Sequence, residues 1–341
     1  MNNRTDEMNE FINAKIDKLS ITGDFWLIRT ENGRWFNDFT LNEFVAIGWD
    51  EVPNLDTYAI EADYKKWRKK VIADIRSIYP KGKDESKAKS PGYILSQIYK
   101  FEKLLKIGDH VIVPTESSQE LEIGIISSLE VGDFTRNHEC KEQCDYRRKY
   151  KVKWIGRIRK SSLSGQAWLA FYSHQTVVKL TDYADVICRK IYPLYILNDK
   201  VHFTLPVAMK RNLSAEEFFS FSKLLEIADG IGEKLDIDFS KSDLDLKVTL
   251  QSPGDFHFIA AGRTAMIGTV FMAFLLASCS DNQDDRSQYE LSSEQAKHIK
   301  DFSSNANTIS SISDSLENSQ KRNLNIAKAA IEVKALASRV Q

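Results

Sequence analysis

The feature that most constrains this 341-residue chain is the run from Ala260 to Ser280, AAGRTAMIGTVFMAFLLASCS. Its one charge is Arg263, and Thr264 to Ser280 carries none. As a helix rising about 1.5 Å per residue, the run would be roughly 30 Å long, close to the thickness of a bilayer's hydrocarbon core. Ala261, Ala265, Thr269, Ala273 and Ala277 recur every four residues and would line one helix face with small side chains. Met266, Val270 and Phe274 form one bulky row beside them, and Ile267, Phe271 and Leu275 another. Small residues at this spacing let helix backbones approach closely, which is how helices associate in lipid. The run is expected to be a transmembrane helix that packs against copies of itself. A helix buried in a soluble core is the alternative.

Whole-chain averages conceal this segment. Lys plus Arg is 47 and Asp plus Glu is 48, for a formal net charge of −1, which excludes a globally basic nucleic-acid coat. Hydrophobic residues at 42% and aromatics at 11% suffice for packed cores, so wholesale disorder is excluded too. The four cysteines and the polar opening, Met1 to Asp24, argue against a disulfide-stapled secreted protein. The expectation is synthesis into the cytoplasm. The charge itself is uneven. Arg136 to Lys160 holds ten Lys/Arg against three Asp/Glu, whereas Arg211 to Ala260 holds five against ten.

An α+β chain of five segments is expected. Residues 1–20 form an arm, and residues 21–182 a small β-barrel domain with inserted helices. In the latter, Phe25–Arg29, Phe44–Trp49, His110–Pro114, Glu122–Glu130 and Tyr150–Gly156 have strand patterns. Leu55–Tyr79 and Pro91–Leu105 have helical ones, separated by the charged loop Lys81–Lys89. Residues 183–259 form a second, smaller and acidic α+β domain. There Ser214 and Glu217 make a capping box, and Ser252-Pro253-Gly254-Asp255 turns one alternating segment into another. Residues 260–280 are the hydrophobic helix. Residues 281–341 carry a heptad-like series including Ile309, Ile312, Leu316, Asn323, Ile326 and Val333, expected to be a coiled-coil oligomerisation tail.

The blocks FWLIRTENGRWFNDF, FVAIGWDEV, LSQIYKFEKLLKIGDHVIVP and RRKYKVKWI follow one another between Phe25 and Trp154. Together they resemble the N-terminal domain that precedes the nuclease in Mrr-like bacterial restriction proteins, a domain related to PUA/EVE-type barrels. The resemblance implies a sensing barrel that holds a base or nucleotide against aromatic side chains. Trp26, Trp35, Trp49 and Trp154 supply flat faces for stacking, and Arg29, Arg147, Arg148 and Lys151 supply charge for phosphates. No Asp…Glu-x-Lys cluster of the Mrr nuclease type is present, so cleavage is not implied.

No catalytic constellation can be assembled: there is no Walker A loop, G-x-S-x-G elbow or H-E-x-x-H. His138, Cys140 and Cys144 fall short of the four ligands of a zinc site, so neither a metal nor a cofactor is expected. The layout resembles nucleotide-gated membrane effectors of bacterial antiphage defence. The expected protein is not an enzyme. It is a homo-oligomer at the bacterial inner membrane with its N-terminal domains in the cytoplasm, binding an oligonucleotide or nucleotide and opening a pore or channel. A nucleotidyltransferase encoded nearby would supply the signal. The alternative is a soluble, cytoplasmic DNA-binding specificity subunit that works with a separate nuclease.

Overall fold

The computed structural model describes residues 20–58, 63–80, 90–129, 136–163, 165–192, 194–207, 244–248 and 254–261. The chain divides into two compact units, one spanning Thr22–Val186 and the other built mainly from Ile187 onward. The fold is α+β.

The first unit is a curled six-stranded sheet, a half-barrel, with strand order β2-β5-β4-β3-β1-β6. Strand β1 (Phe25–Ile28) is buried at every position, as is β3 (His110–Pro114). Such unbroken burial, apolar but for His110, suits strands covered on both faces, and the two pair in parallel, Trp26 opposite Val111. Antiparallel ladders build the rest from β2 (Phe44–Ile47), β4 (Glu120–Ser128), β5 (Arg148–Arg159) and β6 (Val177–Lys179). Strands β2 and β6 are the two edges.

Strand β5 is longer than its sequence pattern suggests and is wet on one face. Tyr150, Val152 and Ile158 are buried, while Lys151, Lys153, Arg157 and Arg159 are exposed. Its register against β4 shifts between Ile123 and Gly124, which face Gly156 and Trp154 and leave Ile155 as an extra residue. Gly124 makes room for this: a Cβ there would lie 2.3 Å from Val152 Cγ1 and 2.7 Å from Trp154 Cε3.

Helices cover one side of the sheet. After α1 (Phe36–Leu41), the stretch expected as one helix from Leu55 to Tyr79 divides. A 3-10 turn (Leu55–Thr57) is capped by Asn54, and α2 (Tyr64–Ile78) is capped separately by Asp63, whose carboxylate accepts the Lys65 N–H at 2.8 Å. Helix α2 buries Trp67, Val71 and Ile75, spaced by four, and packs against α3 (Pro91–Tyr99). Helix α3 runs on into a π-helical turn (Lys100–Leu104). Helices α4 (Gly165–Ala170) and α5 (Ala184–Ile191) follow.

The second unit contains a four-stranded antiparallel sheet of order β7-β8-β10-β9, from β7 (Leu194–Leu197), β8 (Lys200–Val207), β9 (Leu244–Val248) and β10 (Gly254–Ala261). The alternating segments expected on either side of Pro253-Gly254 pair as neighbours, Leu246 opposite Phe258. Inside it, Tyr195 stacks on His202 at 4.7 Å, His202 Nδ1 lies 3.2 Å from His257 Nε2, and Thr204 Oγ1 lies 2.9 Å from His257 Nδ1.

One boundary needs correcting. Ala260 and Ala261, expected to open the hydrophobic helix, are the last residues of β10, paired with Val201 and Lys200. Their alternation continues that of Phe256 and Phe258, so the sheet ladder claims them. A helix can begin only after Ala261. Ala265, Thr269, Ala273, Ala277, the capping box at Ser214 and the heptad tail lie outside the described residues. Among the described residues, no helix is long and apolar enough to cross a membrane.

Candidate nucleic-acid interface

The residues expected to bind a nucleotide divide by burial. Trp26 is 1% exposed and its indole N–H donates to Asp109 Oδ2 at 2.8 Å, so it offers no free face. Trp35 is buried under the Arg34 guanidinium, 4.2 Å from its ring centre, with Tyr146 edge-on at 5.8 Å. Trp154 is half-buried and donates to the Phe39 carbonyl oxygen at 3.1 Å. Arg147 is exposed, and its backbone N–H donates to Asp50. Lys151 is exposed on the outer face of β5.

Arg148 points inward. It shares the parity of Tyr150 and Val152 on β5 and is 8% exposed. Its Nε donates to Glu102 Oε1 at 2.6 Å, and its two Nη atoms donate to the carbonyl oxygens of Trp49, Val52 and Pro53 at 2.8, 2.5 and 3.3 Å. Every face of the guanidinium is used, so no phosphate can be bound there. Arg148 instead fixes the turn that carries Trp49. Trp49 holds a left-handed backbone, φ 66°, uncommon for a bulky residue, and presents a half-buried ring edge-on to Tyr93 with centroids 6.2 Å apart.

From Tyr93 a series of contacts can be followed. The Tyr93 hydroxyl accepts the Thr176 N–H at 3.1 Å and donates to the His174 carbonyl oxygen at 3.2 Å. Arg29, at the end of β1, donates to the carbonyl oxygens of Phe171 (2.6 Å) and Ser173 (2.5 Å). Lys100 donates to Gln175 Oε1 at 2.5 Å and to the Val177 carbonyl oxygen at 3.1 Å. These three residues clamp the strap 171–176 between α4 and β6. Phe171 and Ala167 are buried beneath it, while Trp168, Leu169 and Tyr172 stand 39%, 63% and 52% exposed. Lys160 lies over this turn, its ammonium 5.3 Å from the Trp168 ring centre and 4.6 Å from that of Tyr172.

The electrostatics of this surface are one-sided. Burial lowers the Lys160 ammonium below its ordinary range, and the neighbouring Arg29 guanidinium lowers it further. Burial lowers Arg29 as well, offset in part by the Tyr93 phenol. Among the described residues, neither cation pairs with a carboxylate, in contrast to Arg157, which is held by Glu122 at 2.6 Å. Two adjacent cations, partly desolvated and without a carboxylate partner, repel each other, and an anion beside the Arg29 Nη1 and the Lys160 ammonium would relieve the cost, since Arg29 already commits Nε and Nη2 to backbone carbonyls. Exposed rings beside them add base-stacking surface.

Arg29 and Trp49 are therefore the sequence candidates that this surface brings together. Tyr93, Lys160, Trp168 and Tyr172 were not among them. The signal was the aromatic-rich WLAFY following the basic run, since Trp168 and Tyr172, four apart, fall on one helical face.

The basic run also carries the Cys140–Cys144 loop. Buried Asp38 holds that loop by accepting the Cys144 N–H at 2.7 Å, and Asn42 accepts the Asn137 and His138 N–H groups. Burial pushes the Cys144 thiol up to about 12, which disfavours the thiolate a metal would need.

Residues 25–181 match the model of a family described as a domain of unknown function (DUF8426). No curated protein and no solved structure matches the chain. The matched span closes on itself: the N–H of Phe25, its first residue, donates to the hydroxyl of Thr181, its last, at 3.0 Å.

Proposed function

We propose that the unit Thr22–Val186 binds nucleic acid or a nucleotide at the surface formed by Arg29, Lys160, Trp168 and Tyr172, with Tyr93 and Trp49 along one side. The observation that carries this reading is the pair of cations, Arg29 and Lys160, that among the described residues have no carboxylate partner and are set beside exposed aromatic rings on a clamped turn. Phosphate oxygens meet the cations and a base lies against the rings. The curled sheet is compatible with the PUA/EVE-type barrel that the sequence resembles.

In the same proposal, ligand binding is the input of a membrane effector of bacterial antiphage defence. The output is an oligomeric pore made by the uncharged stretch Thr264–Ser280. That half rests on the length, small-residue spacing and lack of charge of the run.

The test is fluorescence anisotropy with a labelled 20-nucleotide single strand and the full-length chain. The double variant Arg29→Gln, Lys160→Gln should lower affinity and reduce the slope of log K against log salt by about 1.4, roughly 0.7 for each lost phosphate contact. Unchanged affinity in the double variant overturns the site. Fractionation separates the two functional readings, because recovery of full-length chain as a soluble monomer without detergent favours the specificity-subunit alternative.

A further inference from the structure

Helix α2 reads YKKWRKKVIADIRSI, six cations against the one carboxylate of Asp74. Five of those cations, Lys65, Lys66, Arg68, Lys69 and Lys70, fall in the first two turns, and all are exposed. Helix electrostatics oppose this arrangement. The N-terminal end of a helix carries partial positive charge and favours acids. Lys65 with Lys69, and Lys66 with Lys70, are like charges at i, i+4, a spacing that destabilises. Among the described residues, none of the five takes part in an ion pair. The helix forms because Trp67, Val71 and Ile75 are buried on its other face, against α3. Its surface charge is a cost to the free protein.

Two further observations say what would offset that cost. Tyr64 is 58% exposed and stacks on Trp67, centroids 5.6 Å apart and planes 26° from parallel, so a flat ring stands at the head of the cation row. The row also joins the surface described above. The Arg68 guanidinium lies 3.7 Å from the position a Cβ would take on Gly92, the residue before Tyr93. Resting on the nucleic-acid reading, the geometry points to α2 as a second contact that grips the phosphate backbone of a single strand extending past Tyr93 toward Tyr64. The ligand is then a strand of several nucleotides rather than a mononucleotide. The cation row from Lys65 to Lys70 spans about 9 Å of the helix, which matches roughly three phosphates at about 3.4 Å per strand charge. A lipid surface fits less well, because Tyr64 is the only large apolar side chain exposed on the described part of the helix.

The experiment compares full-length wild type, the triple variant Lys66→Gln, Lys69→Gln, Lys70→Gln, and the Arg29→Gln, Lys160→Gln double, on a labelled 20-nucleotide strand across a salt series. The triple should flatten the salt slope by about 2, lose on the order of tenfold or more in affinity at low salt, and melt no lower than wild type because repulsion is relieved. Tyr64→Ala should weaken the 20-mer as well. A triple variant that binds the 20-mer with wild-type affinity and slope, while the double loses binding, overturns the role of α2 and leaves the first site standing. The reverse pattern supports α2 and overturns the first site. Vesicles containing phosphatidylglycerol form a separate arm. If the triple loses vesicle binding while wild type fails to bind the 20-mer, α2 is a lipid contact and the inference is wrong.

Discussion

Arg148 Nη1 donates to the carbonyl oxygen of Trp49 at 2.8 Å, and Trp49 is the residue whose φ of 66° aims its ring at Tyr93. A residue whose type suggests phosphate binding thus serves as an internal brace. Its partner Glu102 also accepts the Leu55 N–H at 2.8 Å, so one ion pair ties β5 to the turn after β2 and to the π-helical segment.

Breaking that pair should cost stability first. Arg148→Met leaves Glu102 buried and unpaired, for an expected loss of about 3–5 kcal/mol in urea unfolding. Arg148→Met with Glu102→Leu should recover most of it. If Arg148→Met instead left the unfolding midpoint unchanged and lowered only oligonucleotide affinity, Arg148 would be a ligand contact.

Buried His110 sets an acid limit. It stacks on Phe25 at 4.3 Å, and burial lowers it to about 4, below the ordinary 6.5. The unfolded chain therefore binds a proton that the folded chain refuses between pH 6.5 and 4. Stability is full above pH 6.5 and falls as pH drops through that window, by about 3 kcal/mol in all. Urea midpoints measured from pH 7 to pH 4 should show this, and His110→Phe should flatten the curve. An equal slope in His110→Phe would assign the effect to other groups.

Trp168→Ala and Tyr172→Ala should separate binding from folding. Both rings are exposed, so stability should change by no more than about 0.5 kcal/mol, whereas oligonucleotide binding should weaken by about 1–3 kcal/mol for each base no longer stacked. Melting curves and anisotropy on the same preparations decide it. If the loss appears instead as a smaller oligomer, the patch joins copies of the chain.

Two glycines with the same backbone conformation should respond differently to alanine. Gly33 has φ 93° and Gly108 has φ 90°. A Cβ on Gly33 would lie 1.9 Å from Glu116 Cα, while one on Gly108 meets nothing within 4 Å. Gly108→Ala should cost the left-handed conformation alone, about 1–2 kcal/mol. Gly33→Ala should exceed it in denaturant midpoint or fail to give folded protein.

For the hydrophobic run, Ala265→Leu combined with Ala273→Leu enlarges the small face on both sides of Thr269. The oligomer recovered from detergent should be smaller than wild type by sedimentation. An unchanged size would argue against close helix packing as its basis.

Much of the sheet was legible because burial writes itself into composition. The run at Phe25 is apolar throughout and the one at His110 is apolar after its opening histidine, and both become covered interior strands. Trp67, Val71 and Ile75 mark α2 by their spacing. The parallel pairing of β1 with β3 was not legible, since it depends on contacts some 85 residues apart, such as Asp24 N–H to Asp109 Oδ1 at 2.9 Å. Site residues were harder for a simpler reason. Residue type suggests what a side chain can bind, and strand parity decides which way it points. Arg148 and Lys151 differ by three positions and face opposite sides of β5. Trp168 and Tyr172 drew no expectation from the sequence, and the structure leaves both rings exposed, Tyr172 on the strap clamped by Arg29 and Lys100.

The bond from Phe25 to Thr181 has a consequence beyond the domain itself. With β1 and β6 as hydrogen-bonded neighbours, Leu27 opposite Val178, the chain starts and finishes the half-barrel at the same place. Such a cassette can be spliced into a host polypeptide with little disturbance on either side of the splice. The proposed binding surface would travel with it, since Arg29, Tyr93, Lys160, Trp168 and Tyr172 all lie within the transplanted stretch.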